Sequence, residues 1–272
     1  MSLYPNKKRI YMSTLNKFIA FVVSIVVIVS SCNTSTKTYT TADAHSHNDY
    51  KNSIPFYRAY NAGFGSIEAD VFAVNGQLMV AHKEEEITPA RSLKLMYIDP
   101  LVEKLKKDTA RKLRLLIEIK KDYSVTLPLV ISELKPLSQY FDYSGHPGRL
   151  SIVMTGKVPP GEVMLSYPAW MSFDVDHMSG FTPQQFSKIG LISVPFDKYS
   201  KWNGAGDLAN EDADRITGLI DSAHALGKKI RFFAIPDTST CWKKLIKLHA
   251  DVIGTDHINE LADFLNKKSY LQ

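Results

Sequence analysis

From about residue 42 onward, short apolar runs of strand length alternate with stretches whose apolar positions recur at helical spacing. That alternation predicts a parallel-sheet α/β domain. The runs expected to form strands are 41–45, 66–74, 113–120, 150–155, 171–175, 191–196, 229–235 and 251–255. Between the later runs, Ile216, Leu219, Ile220 and Ala223 mark one helix face, and Gly227 stands where that helix would stop. Trp242, Leu245, Ile246 and His249 mark another before the last run. Eight strand–helix units predict a (β/α)8 TIM barrel, with an open doubly wound sheet as the alternative. The stretch 157–170, with Pro159, Pro160, Gly161 and Pro168, offers no clear helix between the fourth and fifth runs. Asn75-Gly76 is a hairpin signal, after which 77–82 reads as a short returning strand.

Three of these runs break the apolar pattern in the same way. His45 and His47, Glu68 and Asp70, and Glu118 and Lys120 are pairs of ionisable residues two positions apart. Side chains two apart on a strand share a face, so each pair loads one face with groups that are costly to bury. A barrel gathers such faces at the C-terminal ends of its strands, where catalytic groups belong. The returning strand carries His82 back toward Glu68. Three carboxylates, Glu68, Asp70 and Glu118, suit one hard divalent cation, Mg²⁺ or Ca²⁺. Lys120 suits an anionic substrate group, and histidines suit acid–base work near neutrality. Phosphodiester cleavage fits this set. Each element alone has a plainer reading: a hydrogen-bonded core histidine, or an ion pair between Glu118 and Lys120 at the barrel rim.

The chain has 272 residues, 44% of them hydrophobic, enough for one large core. Its formal charge of +5 includes Lys7, Lys8, Arg9 and Lys17. Those four precede an apolar run from Phe18 to Val29 and then Ser30, Ser31 and Cys32, the order of a secretory signal. The run is short for a membrane span, which needs about 20 residues. Val29-Ser30-Ser31-Cys32 resembles a bacterial lipobox, which implies lipidation at Cys32; an ordinary cleaved signal or an anchor helix is the alternative. The expected organisation is a lipoprotein signal peptide at 1–32, a flexible Ser/Thr-rich tether at 33–43 and a barrel at 44–268. The expected location is an exported, membrane-anchored bacterial lipoprotein on a periplasmic or cell-surface face. Without the four leader cations the remaining charge is close to neutral, so the composition gives no argument for nucleic acid. A monomer is expected. Cys241, the second of two cysteines, reads as a small buried hydrophobe.

Ala62-Gly63-Phe64, Ile67-Glu68-Ala69-Asp70-Val71, Asn75-Gly76 and Val80-Ala81-His82 together resemble the opening block of glycerophosphodiester phosphodiesterases. These belong to the TIM-barrel superfamily that includes phosphatidylinositol-specific phospholipases C. Leu116-Ile117-Glu118-Ile119-Lys120 is similar to that family's third-strand segment, and residues 250–256 to its closing strand. The resemblance implies Glu68, Asp70 and Glu118 as metal ligands, His82 as an acid–base residue, Lys120 near the phosphate, and a small-molecule or lipid phosphodiester as substrate. It also implies a histidine at the end of the first strand, which by strand position is His45 and by distance to Glu68 is His47. The family's first strand ends in histidine, arginine and glycine; here the segment is His45-Ser46-His47-Asn48-Asp49-Tyr50, and the arginine is missing. His82 is followed by Lys83 in place of an aspartate, and little room remains before the third run for an inserted cap domain. The branch is therefore divergent. Two rival readings are an amidohydrolase-type metallohydrolase, built on His45-Ser46-His47 with Asp256, and a non-catalytic surface binding lipoprotein. Asp174, Asp176, Trp202 and Asn203 read either as lining of the mouth or as solvated rim residues.

Overall fold

The computed structural model describes residues 37–271, so the expected signal, Cys32 and residues 33–36 of the expected tether lie outside the described residues, whereas Tyr39 is buried in the core and Thr41–Asp43 form a 3-10 turn. From Thr38 onward the chain forms one unit, a nine-stranded sheet rolled on itself. Its parallel staves are β1 (Ala44–Ser46), β2 (Ser66–Val74), β4 (Leu113–Ile119), β5 (Leu150–Gly156), β6 (Met171–Val175), β7 (Ile189–Pro195), β8 (Ile230–Phe233) and β9 (Ile253–Thr255). The order around the sheet is β8-β7-β6-β5-β4-β2-β1-β9, and a parallel bridge between Arg231 and Val252 joins its two ends. This is the expected (β/α)8 barrel rather than an open sheet. β3 (Gln77–Val80) pairs antiparallel with β2 and stands outside the ring. The turn between them, Asn75 at φ 50° and Gly76 at φ 77°, has two left-handed residues, which matches the twist of the flanking strands.

Helices α1 (Tyr57–Asn61), α2 (Asp99–Lys107), α3 (Tyr123–Leu134), α4 (Gly161–Met164), α5 (Pro183–Ser187), α6 (Asn210–Ala225), α7 (Ser239–Lys247) and α8 (Ile258–Asn266) surround the staves. α4 is a single turn, which answers the missing helical pattern between the fourth and fifth runs. Thr182 and Thr238 cap α5 and α7 through their hydroxyls, satisfying backbone donors that a helix start leaves open.

Outward-facing stave residues such as Ile67, Ala69, Leu115, Ile117, Ile152 and Phe173 form the main core with the helices. Cys241 is fully buried in it, as expected. Inside the barrel a second, small apolar layer is made by Leu116, Val153, Leu191 and Val252. It separates two polar ends. Residues of matching parity nearer the C-terminal ends, Glu68, Asp70, Glu118, Asp174, Ser193 and Arg231, crowd one mouth, while Arg114, Ser66 and Ser151 line the other.

Candidate active site

The parallel register of β2 and β4 sets Asp70 beside Glu118 and Glu68 beside Leu116. One oxygen from each of Glu68, Asp70 and Glu118 lies within 4.8 Å of the others. The trio read from the sequence is therefore one cluster at the C-terminal mouth. Asp70 is fully buried; its Oδ2 accepts hydrogen bonds from Tyr50 Oη (2.8 Å) and Lys120 Nζ (3.1 Å), whereas its Oδ1 is buried without a partner. Burial, then the charges of Asp70 and Glu68, raise the pKa of Glu118, with Lys120 as a partial offset at 3.0 Å. Burial alone would disfavour the Lys120 ammonium, but Glu118 and Asp70 hold its pKa above the usual value. A set of crowded oxygens with one orphaned carboxylate oxygen is a donor set that fits a hard divalent cation.

His82 follows β3, and its Nδ1 lies 3.1 Å from both Asp70 Oδ2 and Tyr50 Oη. Its ring is partly open to solvent, with 41% of the side chain exposed. Tyr50 Oη also lies 2.7 Å from Asn48 Oδ1, which competes with Asp70 for its one proton. Asn48 in turn reaches Asp256 Oδ1 (3.3 Å) and His47 Nδ1 (2.9 Å), so one polar chain links the two exposed histidines. The loop carrying Asn48 and Tyr50 is pinned by buried Asp49, which accepts from Ser46 Oγ (2.8 Å), Phe56 N (2.6 Å) and Tyr97 Oη (3.0 Å).

The two histidines of the first strand part company. β1 ends at Ser46, so the alternation of faces no longer binds His47. His45 is completely buried, with Nδ1 2.8 Å from Ser66 Oγ and Nε2 2.8 Å from Glu68 Oε2. Burial, reinforced by the Arg231 charge, pushes its pKa down to about 3, so the ring is neutral. If Nε2–H donates to Glu68, Nδ1 accepts from Ser66. Arg231 Nη1, 2.5 Å from the same Nε2, donates to Glu68 Oε2, so both groups bear on one carboxylate oxygen. His47 turns into the mouth, with Nδ1 2.9 Å from Asp256 Oδ1. Burial opposes its charged form, but the Asp256 hydrogen bond and the negative field of Glu68 raise its pKa. Asp237 Oδ2 accepts from the Asp256 backbone N–H (2.7 Å) and from Thr255 Oγ1 (3.0 Å), which fixes the residue that orients His47.

Arg231 is the component that the sequence reading passed over. It reaches inward from β8, with Nε donating to Ser193 Oγ (3.1 Å) and Nη1 to Glu68 Oε2 (3.0 Å); Nη2 stands 3.9 Å from Asp174 Oδ2. The His45 hydrogen bond and Arg231 outweigh burial and hold Glu68 below the usual carboxylate range. Asp174 is also buried, and burial pushes its pKa up to about 6 despite the nearby guanidinium. The available signal was an arginine inside an apolar strand run, in phase with Phe233. A cavity of about 390 Å³ opens above these groups, lined among others by His47, Glu68, Glu118, Asp174 and Arg231. Asp176 and His177 hydrogen-bond each other at its exposed rim (2.8 Å), and Trp202 Nε1 is bound to Ala205 O (2.8 Å). The His-x-His alternative needs both histidines turned to one metal. The structure turns His45 and His47 to different partners, and the one metal-competent cluster among the described residues is the carboxylate trio.

Residues 33–111 match the AIM6-like phosphodiesterase domain. The altered inheritance of mitochondria protein 6 of Kluyveromyces lactis is 32% identical over 300 residues, covering 82% of this chain and 72% of the relative. The chain belongs to the altered inheritance of mitochondria protein 6 family. A homolog from Arthroderma benhamiae is 28% identical over 256 residues, covering 79% of this chain and 81% of the relative. Among solved structures, a glycerophosphodiester phosphodiesterase from Parabacteroides distasonis superposes with a TM-score of 0.57 at 14% identity, over 84% of this chain and 98% of that one. A Ca²⁺-dependent phosphatidylinositol-specific phospholipase C from Streptomyces antibioticus gives 0.57 at 12% identity, over 83% and 97%. These likenesses show the fold, and with the domain match they place this member of the family on a divergent branch of the TIM-barrel phosphodiesterases, as its motifs suggest. The expectation of a bacterial lipoprotein is corrected: the matched relatives of the family are fungal. Lipid anchoring at Cys32 and a periplasmic or bacterial cell-surface location lose their basis with it, because the lipobox rule presupposes bacterial export. No helix among the described residues is long and apolar enough to cross a membrane.

Proposed function

We propose that this protein is a metal-dependent phosphodiester hydrolase that works by histidine acid–base catalysis on a glycerophosphodiester or phospholipid-type substrate. The observation that carries the reading is the clustering of Glu68, Asp70 and Glu118, with buried Asp70 Oδ1 lacking any partner, between two solvent-reached histidines. The trio would hold one divalent cation, Mg²⁺ or Ca²⁺, whose chemistry is to offset negative charge on the phosphoryl oxygens.

The chain's own groups divide the remaining work. His47, oriented by Asp256, takes the proton from a substrate hydroxyl next to the phosphodiester, and that oxygen attacks phosphorus to give a cyclic phosphate. His82, held through Nδ1 by Asp70 and Tyr50, gives a proton to the leaving oxygen as its bond to phosphorus breaks, and water then opens the cyclic phosphate with the two histidines in exchanged roles. Lys120, paired with Asp70 and Glu118, and Arg231, paired with Glu68, present fixed positive charge to the phosphoryl group. His45 is a positioning residue: neutral and buried, it fixes the Glu68 carboxylate. The substrate is a small-molecule or lipid diester, and no nucleic-acid partner is proposed. The test is a panel of activated and natural phosphodiesters offered to the purified protein with Mg²⁺ or Ca²⁺. Turnover of at least one diester, reduced at least a hundredfold in His82→Ala, is expected; a folded protein inert to the whole panel overturns the proposal.

A further inference from the structure

Arg114 lies at the other end of the barrel. It shares the inward parity of Leu116 and Glu118 on β4, with Ser66 and Ser151 as its neighbours in register. The side chain is largely enclosed and its Nε is sealed from solvent with no hydrogen-bond partner. None of its guanidinium nitrogens forms a hydrogen bond or ion pair within the described residues. Asp43, Asp142 and Asp251 line the same cavity, and the charges of Asp174 and Asp251 favour the guanidinium without hydrogen-bonding to it. Asp142 Oδ1 accepts from Gly148 N (3.1 Å) and its Oδ2 faces Lys112 (3.8 Å). Asp251 Oδ2 accepts from Ile230 N (3.0 Å) and His224 Nε2 (2.8 Å), and Asp43 Oδ2 accepts from Thr40 N (3.0 Å).

A guanidinium cannot lose its charge near neutral pH, and a buried unpaired charge is costly. Buried polar groups without a protein partner call for water or an ion. Arg114 opens onto a polar cavity of about 570 Å³ that is lined by Lys112, Lys228 and Lys229 as well as by Asp43, Asp142 and Asp251. A planar fork of N–H donors matches the oxygens of a tetrahedral oxyanion better than it matches a spherical halide. We propose that this N-terminal cavity is an anion site in which Arg114 is the central ligand and a phosphate group, free or at the end of a small monoester, is the occupant. The apolar layer of Leu116, Val153, Leu191 and Val252 separates it from the catalytic mouth, and the proposal does not depend on the diesterase reading.

The experiment is thermal unfolding and titration calorimetry on the full chain in chelator, comparing chloride, inorganic phosphate and glycerol phosphate at matched ionic strength. The variants are Arg114→Met, which empties the proposed site, and Lys120→Met, which disables the mouth. Phosphate should raise the Tm of the wild type and of Lys120→Met saturably, but not that of Arg114→Met, with Kd at least tenfold weaker in that variant. In chloride alone, Arg114→Met should unfold at or near the wild-type temperature, because the guanidinium it removes forms no hydrogen bond or ion pair within the described residues. Tighter binding of glycerol phosphate identifies a monoester site, and equal binding identifies a site for the phosphate group alone. Four results overturn the proposal: no phosphate effect beyond chloride in the wild type, an undiminished effect in Arg114→Met, loss of the effect in Lys120→Met, or an Arg114→Met that is unfolded in chloride.

Discussion

Replacing Asp256 with Asn probes the pair that the structure assembles from opposite ends of the sequence. The two side chains are 41% and 52% exposed and meet at 2.9 Å. An ion pair this open is worth about 0.2–1 kcal/mol after solvent screening. Asp256→Asn removes the charge and keeps the shape, so the His47 pKa should fall. The sign follows from the role: His47 acts as a base when neutral, so activity is lost as pH falls through its pKa. The acid limb of the rate profile should move to lower pH in Asp256→Asn, and kcat should fall roughly 10²- to 10⁴-fold as the ring loses its orientation. The same pair adds stability fully below the unfolded histidine pKa, down to where Asp256 protonates, and that contribution disappears as pH rises through the folded pKa. NMR titration of His47 with a parallel rate profile makes the measurement. A pKa that stays fixed or rises in Asp256→Asn refutes the dyad.

Three further predictions follow from the packing. Arg231→Met leaves Glu68 and Asp174 buried without their cation and should cost about 3–5 kcal/mol in denaturant unfolding, whatever its effect on turnover; a loss under about 1 kcal/mol would show that the guanidinium is not the internal counter-charge. Gly156 has φ +77°, and a Cβ there would sit 2.6 Å from Ile119 O and 2.8 Å from Glu118 Cγ. Gly156→Ala should therefore displace Glu118 and weaken calorimetric Mg²⁺ or Ca²⁺ binding at least tenfold, and unchanged affinity would remove Glu118 from the cation site. Leu116→Ala opens the small interior layer and should lower stability by about 2–5 kcal/mol; a near-neutral result would mean that the layer does not pack as described.

Strand parity made part of the site legible before any coordinates. On β2 and β4 it holds through the carboxylates, so Glu68, Asp70 and Glu118 do share the barrel interior, and Lys120, one residue past the end of β4, still reaches Asp70 and Glu118. On β1 it fails because the strand stops at Ser46, and only tertiary packing against Asp256 decides where His47 points. The Asn75-Gly76 turn announced β3 because its two positive φ angles demand such residues. α3 was hidden: Pro128 lies inside it, and its apolar residues are spread around the helix rather than gathered in a stripe. Arg231 was hidden for a different reason. A charged residue in a strand run is ordinarily taken for a solvent-facing one, and its inward turn depends on Ser193, Glu68 and His45, none of them near in sequence. The leader pattern led to a wrong location because it was read through a bacterial rule, whereas the relatives are fungal.

The central claim is that Glu68, Asp70 and Glu118 hold the cation on which diester cleavage depends. It is tested by the rate of diester hydrolysis against free Mg²⁺ or Ca²⁺, in chelator-treated wild type and in Asp70→Asn. The account predicts a rate that vanishes on chelation, returns saturably with the cation, and shows no cation response in Asp70→Asn. A rate indifferent to the chelator, or an Asp70→Asn curve that matches the wild type, contradicts it.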